Sequence, residues 1–341
     1  MKSFRVRCEI GQLFGLLYVH MSDSRFAAGR TTHQERGGGP ELVEGIEHME
    51  ITAAVARGAS APFSVERLTL MPPGADEVLV RIVASGICAS DLTAKKNFPA
   101  EMPIVLGHEG AGVVEQVGAN VKGVTVGDHV VVTFDSCGSC VRCEGGLPGY
   151  CEDWVGLNAG RFGAESPLVN GEVPVVGGFF GQSSFASHVL ASVRSLVVVD
   201  RDVDLAMIAG FACAIQTGAG TVANVLRPGS ESSLVVFGVG GVGMAAVMAA
   251  RALGVGTVVA VDLSAPRLDL ARELGADFAI DGDADDVADK SRPRPKEGPP
   301  TPWIRPDWLR WSLTPLIRWL RWERWLLLRS ASRPCRSRSR S

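Results

Sequence analysis

The chain has 341 residues, a length that allows about two domains. With 46% hydrophobic and 21% charged residues, its composition excludes a disordered or collagen-like protein despite 40 glycines. No apolar run reaches the roughly 18 residues that a membrane-spanning helix needs. Four of the eight cysteines lie within 15 residues, which indicates a metal site rather than a disulfide framework. We therefore expect a reducing, cytoplasmic location.

Charge is divided unevenly between the body of the chain and its C-terminal tail. Residues 291–341 carry 13 Lys and Arg against three acidic residues, so this segment has a net charge of +10. It also contains six of the seven tryptophans. We interpret residues 286–341 as the product of a shifted reading frame. The alternatives are a basic amphipathic segment over residues 316–329, suited to anionic lipid or nucleic acid, and simple disorder at residues 336–340.

The first part of the chain divides at Met49. Residues 1–48 form an irregular extension whose basic start and short apolar run only weakly resemble a signal peptide. Short strand-like segments then follow at residues 51–56, 77–84, 110–118 and 124–133, punctuated by glycine. This pattern of short strand-like segments separated by glycine predicts a mostly β domain over residues 49–214.

From about residue 215 the pattern alternates between strands and helices. Strands are predicted at residues 234–237, 257–261 and 278–280, with helices at 242–253 and 265–274 between them. This βαβαβ order predicts the first half of a doubly wound parallel sheet, a partial Rossmann domain over residues 215–285. Since no second half follows, we expect the first strand of this sheet to be left as a bare edge.

Four cysteines follow the spacing C-x2-C-x2-C-x7-C, at Cys137, Cys140, Cys143 and Cys151. Four thiolates this close together can complete a tetrahedral shell around Zn²⁺, and such sites are usually structural because no position remains for substrate. Two alternatives stay open: reduced cysteines without metal, and an iron–sulfur cluster.

A second set of candidate ligands is spread along the chain. Cys88 and Cys213 supply two thiolates, and His108 in the sequence Gly-His-Glu supplies an imidazole. Taken alone, each is typical of a small buried residue or a core histidine. Together they give three ligands and leave a fourth position for a water or an alcohol. Asp91 would then orient His108 through a hydrogen bond.

Gly238, Gly240 and Gly243 form the pattern G-x-G-x-x-G between a predicted strand and a predicted helix. This pattern is weak alone, but Asp262 ends the next strand 19 residues after Gly243. Such an acidic residue can accept hydrogen bonds from an adenosine ribose. The arrangement predicts a dinucleotide site with NAD preferred, because a carboxylate repels the 2′-phosphate of NADP.

These residues together resemble the zinc-dependent medium-chain alcohol dehydrogenases, most closely their aryl-alcohol (benzyl alcohol) branch. Besides the four cysteines, the segments that carry the resemblance follow the family order: residues 86–91 (GICASD), 107–114 (GHEGAGVV), 181–186 (GQSSFA), 213–217 (CAIQT) and 238–243 (GVGGVG). The resemblance implies an α/β protein with a GroES-like catalytic domain and a Rossmann domain. It also implies a small-molecule alcohol or aldehyde as partner, no specific nucleic acid and no transmembrane segment, and a homo-oligomer.

The resemblance further assigns roles to individual residues. It implies a catalytic zinc held by Cys88, His108 and Cys213, a structural zinc held by the other four cysteines, and Glu109 behind the catalytic zinc. Ser90 would pass the substrate proton outward, although Thr93 stands where many relatives have a histidine in this relay. The NAD contacts that it implies lie at Thr217, Val242, Asp262 and Arg267.

We therefore expect oxidation of a primary, aromatic alcohol with hydride transfer to NAD. Two alternatives remain. The first is an inactive zinc-binding fragment, and the second is a dehydrogenase of the same superfamily that acts on a hydroxymethyl thiol adduct.

Overall fold

Alternating apolar and polar residues build the strands of two five-stranded antiparallel sheets. In the first strand, for example, Ile51, Ala53 and Val55 are buried while Glu50 and Thr52 are exposed. The structure, a computed structural model, describes residues 48–283 and Leu327–Ser330. The chain divides into two compact units, Met1–Glu41 and Leu42–Ser341, and all the described residues belong to the second. The predicted domain boundaries at residues 48, 214 and 285 stay predictions.

The strands of these sheets and of a two-stranded ribbon are β1 (Met49–Ala56), β2 (Ser64–Leu70), β3 (Glu77–Ser85), β4 (Ile104–Val105), β5 (Gly110–Val117), β6 (His129–Val132), β7 (Ala159–Arg161), β8 (Leu168–Asn170), β9 (Val173–Val175), β10 (Gly177–Phe179), β11 (His188–Ser192) and β12 (Leu196–Val199). The two sheets have the strand orders β4-β1-β2-β8-β9 and β11-β3-β5-β6-β12, and the ribbon pairs β10 with β7.

Short helices connect these strands and lead into the next sheet. They are α1 (Ala89–Asn97), α2 (Val141–Glu144), α3 (Trp154–Asn158), α4 (Leu205–Ile208) and α5 (Ala214–Gly220), which runs into a π-helical segment at Thr221–Leu226. Short 3₁₀ turns lie at Pro148–Tyr150, Gly163–Glu165, Val193–Ser195 and Ala209–Ala212.

The glycine-rich turn and the apolar runs after it produce a βαβαβ unit. Its elements are β13 (Ser233–Phe237), α6 (Gly241–Ala252), β14 (Thr257–Asp262), α7 (Ala265–Glu273) and β15 (Phe278–Asp281). The three strands are parallel and lie in the order β15-β14-β13. Val236, Val258 and Ala260 are fully buried against α6, as expected for strands covered by helices.

The expectation that β13 would be a bare edge is wrong. A strand from the tail, β16 (Leu327–Ser330), pairs with β13 in antiparallel register, with Val235 opposite Arg329. An unpaired strand exposes a row of N–H and C=O groups, and pairing with a further segment of the chain satisfies them. The rest of the segment proposed as amphipathic, residues 316–326, lies outside the described residues.

Within the part of the chain that is described, no single helix has both the length and the apolar character to cross a membrane. One bent helix pair, Leu205–Ala212 with Ala214–Leu226, meets the criteria by length and composition only, with a 56° bend between its halves.

Candidate active site

A buried carboxylate organises the first part of the site. Asp91 lies in the first turn of α1 and is fully buried. Its Oδ2 accepts a hydrogen bond from the Cys88 N–H at 2.9 Å, and its Oδ1 lies 2.9 Å from His108 Nδ1. Oδ1 also accepts the Gly107 N–H at 3.0 Å. One side chain therefore caps the helix and fixes the orientation of the imidazole.

The turn before His108 requires glycine. Gly107 has a φ of +92°, a backbone conformation that residues with a Cβ rarely adopt. A Cβ at this position would also lie 2.5 Å from the ring of Phe185. The Gly-His-Glu sequence thus brings His108 out of β4 and directs its ring inward.

Four side chains converge on one point. One potential ligand atom from each of Cys88, His108, Glu109 and Cys213 lies within 4.8 Å of the others, and the two sulfurs are 3.8 Å apart. His108 Nε2 is buried and has no hydrogen-bond partner among the described residues. A buried nitrogen without a partner beside two thiols fits a metal ligand. This donor set suits Zn²⁺.

The same contacts shift the protonation of the four groups. The Cys213 thiol donates to Cys88 Sγ, which lowers the pKa of the Cys88 thiol to about 3 and raises that of Cys213. Burial raises the pKa of Glu109, and the negative charge of Cys88 adds to this effect. Burial lowers the pKa of His108, but the hydrogen bond to Asp91 and the nearby sulfur outweigh it and raise the pKa to about 9. Cation binding here would release protons.

Ser90 and Glu109 flank the convergent ligands. Ser90 Oγ is half-buried and lies 3.8 Å from Cys88 Sγ. Glu109 is 5% exposed and lies against Gly86, where a Cβ would collide with the Glu109 carboxylate. Thr93, in contrast, is exposed on α1.

Gln182 is a supporting residue to which sequence analysis gave no role. It is 2% exposed. Its Nε2 donates to the carbonyl oxygens of His108 and Val132, and its Oε1 accepts the Gly110 N–H at 3.0 Å. The side chain thus joins the His108 loop to β5 and β6. Its position in the segment GQSSFA was the only available signal.

An aromatic wall, formed by Trp154, Phe179 and Phe180, adjoins the histidine. The ring of Phe180 stacks on His108 with centroids 4.5 Å apart, and Phe179 meets the same imidazole edge-on at 5.9 Å. Trp154 contacts Phe180 edge-on at 5.5 Å. Sequence analysis did not predict this wall, because Trp154 and the two phenylalanines lie on separate elements.

The cysteine lobe, residues 137–151, brings its four thiols together. One ligand atom from each cysteine lies within 4.8 Å of the others. Backbone N–H groups donate to the sulfurs of Cys137, Cys140 and Cys151. The N–H groups of Ser139 and Cys140 lower the pKa of Cys137 to about 6, so part of the lobe favours thiolate. This arrangement fits a tetrahedral zinc site with no place for substrate.

The predicted dinucleotide residues meet at the carboxyl ends of β13 and β14. Gly238 has a φ of +81°, and the space that a Cβ at Gly240 would enter is open. Asp262 Oδ2 accepts the Val239 N–H at 2.8 Å, and Arg267 Nη1 lies 3.9 Å from Asp262 Oδ1. The turn therefore leads into the N-terminus of α6, where Gly243 is buried, and leaves room for a pyrophosphate.

Helix α5 connects the two groups of residues. Cys213 immediately precedes it and Thr217 is exposed one turn later. Gly218 faces α6 so closely that a Cβ would collide with the Val242 carbonyl oxygen. The position of the candidate metal ligand is therefore tied to the helix that begins at the glycine-rich turn.

Comparison with known proteins agrees with this geometry. Residues 74–201 match the family model of the alcohol dehydrogenase GroES-like domain, and residues 241–298 match that of the zinc-binding dehydrogenases. A solved zinc-binding alcohol dehydrogenase structure from Burkholderia ambifaria is 47% identical, with a TM-score of 0.69 over 72% of this chain and 67% of that chain. The chain belongs to the zinc-binding alcohol dehydrogenases.

Other members of this alcohol dehydrogenase family are also similar. Geraniol dehydrogenase from Castellaniella defragrans is 44% identical over 68% of this chain and 63% of that protein. The structure of benzyl alcohol dehydrogenase from Acinetobacter calcoaceticus is 38% identical, with a TM-score of 0.66 over 71% of this chain and 66% of that one. The matched region thus spans less than two thirds of the geraniol dehydrogenase.

Membership confirms the predicted α/β fold with a GroES-like domain and a Rossmann-type dehydrogenase domain. Zn²⁺ and NAD are the cofactors that this family uses, and both cysteine-containing clusters are compatible with zinc. The roles assigned to individual site residues stay predictions.

Proposed function

We propose that the chain oxidises a primary, aromatic alcohol to its aldehyde with NAD as hydride acceptor. The observation that carries this proposal is the aromatic wall beside the four converging ligands. Phe180 stacks on His108, so a substrate whose oxygen reaches this point has an aromatic surface next to it. Aromatic pairs in offset or edge-to-face contact contribute stabilisation beyond the burial of their apolar area, which favours an aromatic substrate ring here.

Zn²⁺ held by Cys88, His108 and Cys213 would acidify the alcohol, and NAD would accept the hydride. Asp91 holds the His108 ring so that Nε2 faces the two sulfurs. The Ser90 hydroxyl can both accept and donate, and it takes the alcohol proton towards solvent. The exposed hydroxyl of Thr93 is a poorer proton acceptor than an imidazole would be, so we expect water to receive the proton from Ser90.

The cofactor residues act at the other end of the site. The turn from Gly238 to Gly243 and the N-terminus of α6 would hold the pyrophosphate, and Asp262 would bind the adenosine ribose. Val242 and Thr217 flank the path from this turn to Cys213. The partners are a small alcohol and its aldehyde. A homo-oligomeric state and a cytoplasmic location stay predictions.

Formation of NADH by the full chain tests this function with three substrates: benzyl alcohol, an unbranched aliphatic alcohol, and S-(hydroxymethyl)glutathione. We expect the highest kcat/KM with benzyl alcohol and none with the Cys88→Ser variant. A preference for the glutathione adduct would favour the thiol-adduct activity, for which a relative from Photobacterium damsela with 33% identity is named. Absence of NADH with every substrate, at full zinc content, would favour an inactive fragment.

A further inference from the structure

Asn158 joins three segments that are distant in sequence. It ends α3, and the residue is 1% exposed. Its Oδ1 accepts the Asp135 N–H at 2.8 Å, and its Nδ2 donates to the carbonyl oxygens of Asp135 at 2.9 Å and Trp154 at 2.8 Å. Its own carbonyl accepts the Phe180 N–H at 2.8 Å. All these contacts are buried or half-buried.

Two of these contacts close the cysteine lobe at its base. Asp135 lies two residues before Cys137, and Trp154 lies three residues after Cys151. The carboxylate of Asp135 accepts hydrogen bonds from the Ser136 N–H and the Ser195 hydroxyl. The side chain of Asn158 therefore holds together the two stems of the loop whose four thiols converge.

The third contact leads to the active site. Phe180 has a φ of +51°, an unfavourable conformation for a residue with a side chain. Such a conformation is strained and persists only where the surroundings hold it. The hydrogen bond from its N–H to the main-chain carbonyl of Asn158 and the edge contact with Trp154 are two of its restraints, and the Asn158 side chain acts on the first by holding that carbonyl in place. They set the face that Phe180 presents to His108.

We propose that Asn158 is a positioning residue that couples the cysteine lobe to the aromatic wall. A cation bound in the lobe fixes its two stems, Asn158 transmits this order, and Phe180 is held against His108. The consequence for substrate binding rests on the proposed function, since it requires the wall to receive the substrate ring. The coupling itself rests only on the hydrogen bonds described above.

Hydrogen–deuterium exchange of the full chain tests the coupling without turnover. We compare the wild type, Cys140→Ser, Asn158→Leu and the double variant, and follow the peptide over residues 177–183. We expect Cys140→Ser to speed exchange of this peptide about tenfold in the wild-type background, which converts to a change of about 1.4 kcal/mol in the free energy of opening. In the Asn158→Leu background the same change should add less than about twofold.

Asn170→Leu is the matched control. Asn170 is exposed and its Nδ2 donates to Glu66, away from the lobe. The proposal would be overturned if Cys140→Ser changed the exchange of residues 177–183 equally in the wild-type and Asn158→Leu backgrounds. It would also be overturned if Asn158→Leu had the same exchange as Asn170→Leu. If Asn158→Leu does not fold, Asn158→Asp replaces it, because the carboxylate still accepts the Asp135 N–H but cannot donate to the carbonyl oxygens of Asp135 and Trp154. It must show the same loss of coupling.

Steady-state kinetics supply the second readout. With Asn158→Leu we expect the KM for benzyl alcohol to rise about tenfold while that for an aliphatic alcohol changes little, since only the aromatic substrate makes ring contacts with the wall. A uniform loss of kcat for both alcohols would indicate a merely structural role. An inactive wild type would contradict the proposed function, and the exchange result would still decide the coupling.

Discussion

The carboxylate of Asp91 fixes the ring of His108, with 2.9 Å between Asp91 Oδ1 and His108 Nδ1. Asp91→Asn keeps the size of the side chain but removes its charge and one acceptor. We expect zinc affinity at this site to fall about 10- to 100-fold, the usual effect of losing the partner of a ligating histidine. Competition with a chromogenic chelator measures this change.

The exposed residue Asp202 supplies the control through Asp202→Asn, which should leave zinc affinity unchanged. Equal chelator resistance in Asp91→Asn and the wild type would show that Asp91 does not support a metal ligand.

Phe180→Leu removes the ring that stacks on His108 but keeps an apolar side chain. We expect kcat/KM for benzyl alcohol to fall about tenfold relative to an aliphatic alcohol, within the range of aromatic pair energies. Competition between the two alcohols in one assay gives this ratio directly. Phe162→Leu, on an exposed ring that stacks on Phe98 instead, is the control. An unchanged ratio in Phe180→Leu would remove the basis for aromatic preference.

The two cysteine clusters should respond differently to the loss of one ligand. Elemental analysis of the wild type should give two zinc ions per chain, and Cys88→Ser and Cys140→Ser should each retain one. We expect Cys140→Ser to lower the Tm substantially, because a closed four-thiolate site contributes to folding. Cys88→Ser should abolish NADH formation with a smaller change in Tm.

Cys335, which lies in the tail, provides a cysteine substitution outside both clusters. Cys335→Ser should keep two zinc ions per chain. Loss of both ions in either single-cluster variant would show that the clusters are not independent sites.

Gly218 and Gly220 lie in the same helix but differ in their surroundings. A Cβ at Gly218 would collide with the Val242 carbonyl oxygen, whereas the nearest atom to a Cβ at Gly220 is Asn224 Nδ2 at 3.7 Å. We expect Gly218→Ala to destabilise the protein by about 1–3 kcal/mol through overpacking between α5 and α6. Gly220→Ala should be neutral or slightly stabilising. Urea unfolding measures both, and equal midpoints would refute the close contact.

Asp262 should determine the choice between NAD and NADP. Asp262→Asn keeps an acceptor for the Val239 N–H but removes the charge that Arg267 faces. An arginine released in this way can bind a 2′-phosphate. We expect the ratio of the NADPH and NADH dissociation constants to fall about tenfold, as for the loss of one favourable charge pair.

Fluorescence titration measures the two dissociation constants without turnover. Asp269→Asn is the control, because Asp269 pairs with Arg272 on the exposed side of α7. If the ratio of the NADPH and NADH dissociation constants were the same in Asp262→Asn and the wild type, Asp262 would not bind the adenosine ribose.

Sequence patterns predicted those elements that have a local physical cause. The ends of each element in the βαβαβ unit were predicted to within one residue, because apolar periodicity and the glycine turn both mark it. The strand predicted at residues 124–133 was too long. Asp128 Oδ2 accepts the Thr125 N–H and Gly127 has a φ of +89°, so this part forms a turn and β6 begins only at His129.

The strand pairing and the supporting side chains that depend on contacts between distant segments were not predicted. To predict that β16 pairs with β13, one must know that the sheet has an open edge, and the sequence around Leu327 does not contain this information. Asn158 and Gln182 have no recognisable spacing, because their side chains bind backbone atoms of other segments. The cysteine lobe was accessible because thiols at short spacing have few alternative uses. The cluster of Cys88, His108 and Cys213 has no short spacing, and the resemblance to the family supplied it.

The position of Cys213 has a consequence for the order in which the protein matures on the ribosome. All the ligands of the cysteine lobe have been synthesised once Cys151 emerges, whereas the other cluster lacks a sulfur until the chain reaches α5, 62 residues later. A nascent chain can therefore bind a cation in the cysteine lobe while the proposed catalytic site still lacks Cys213. On the proposed function, the active site is completed only after the lobe that supports it.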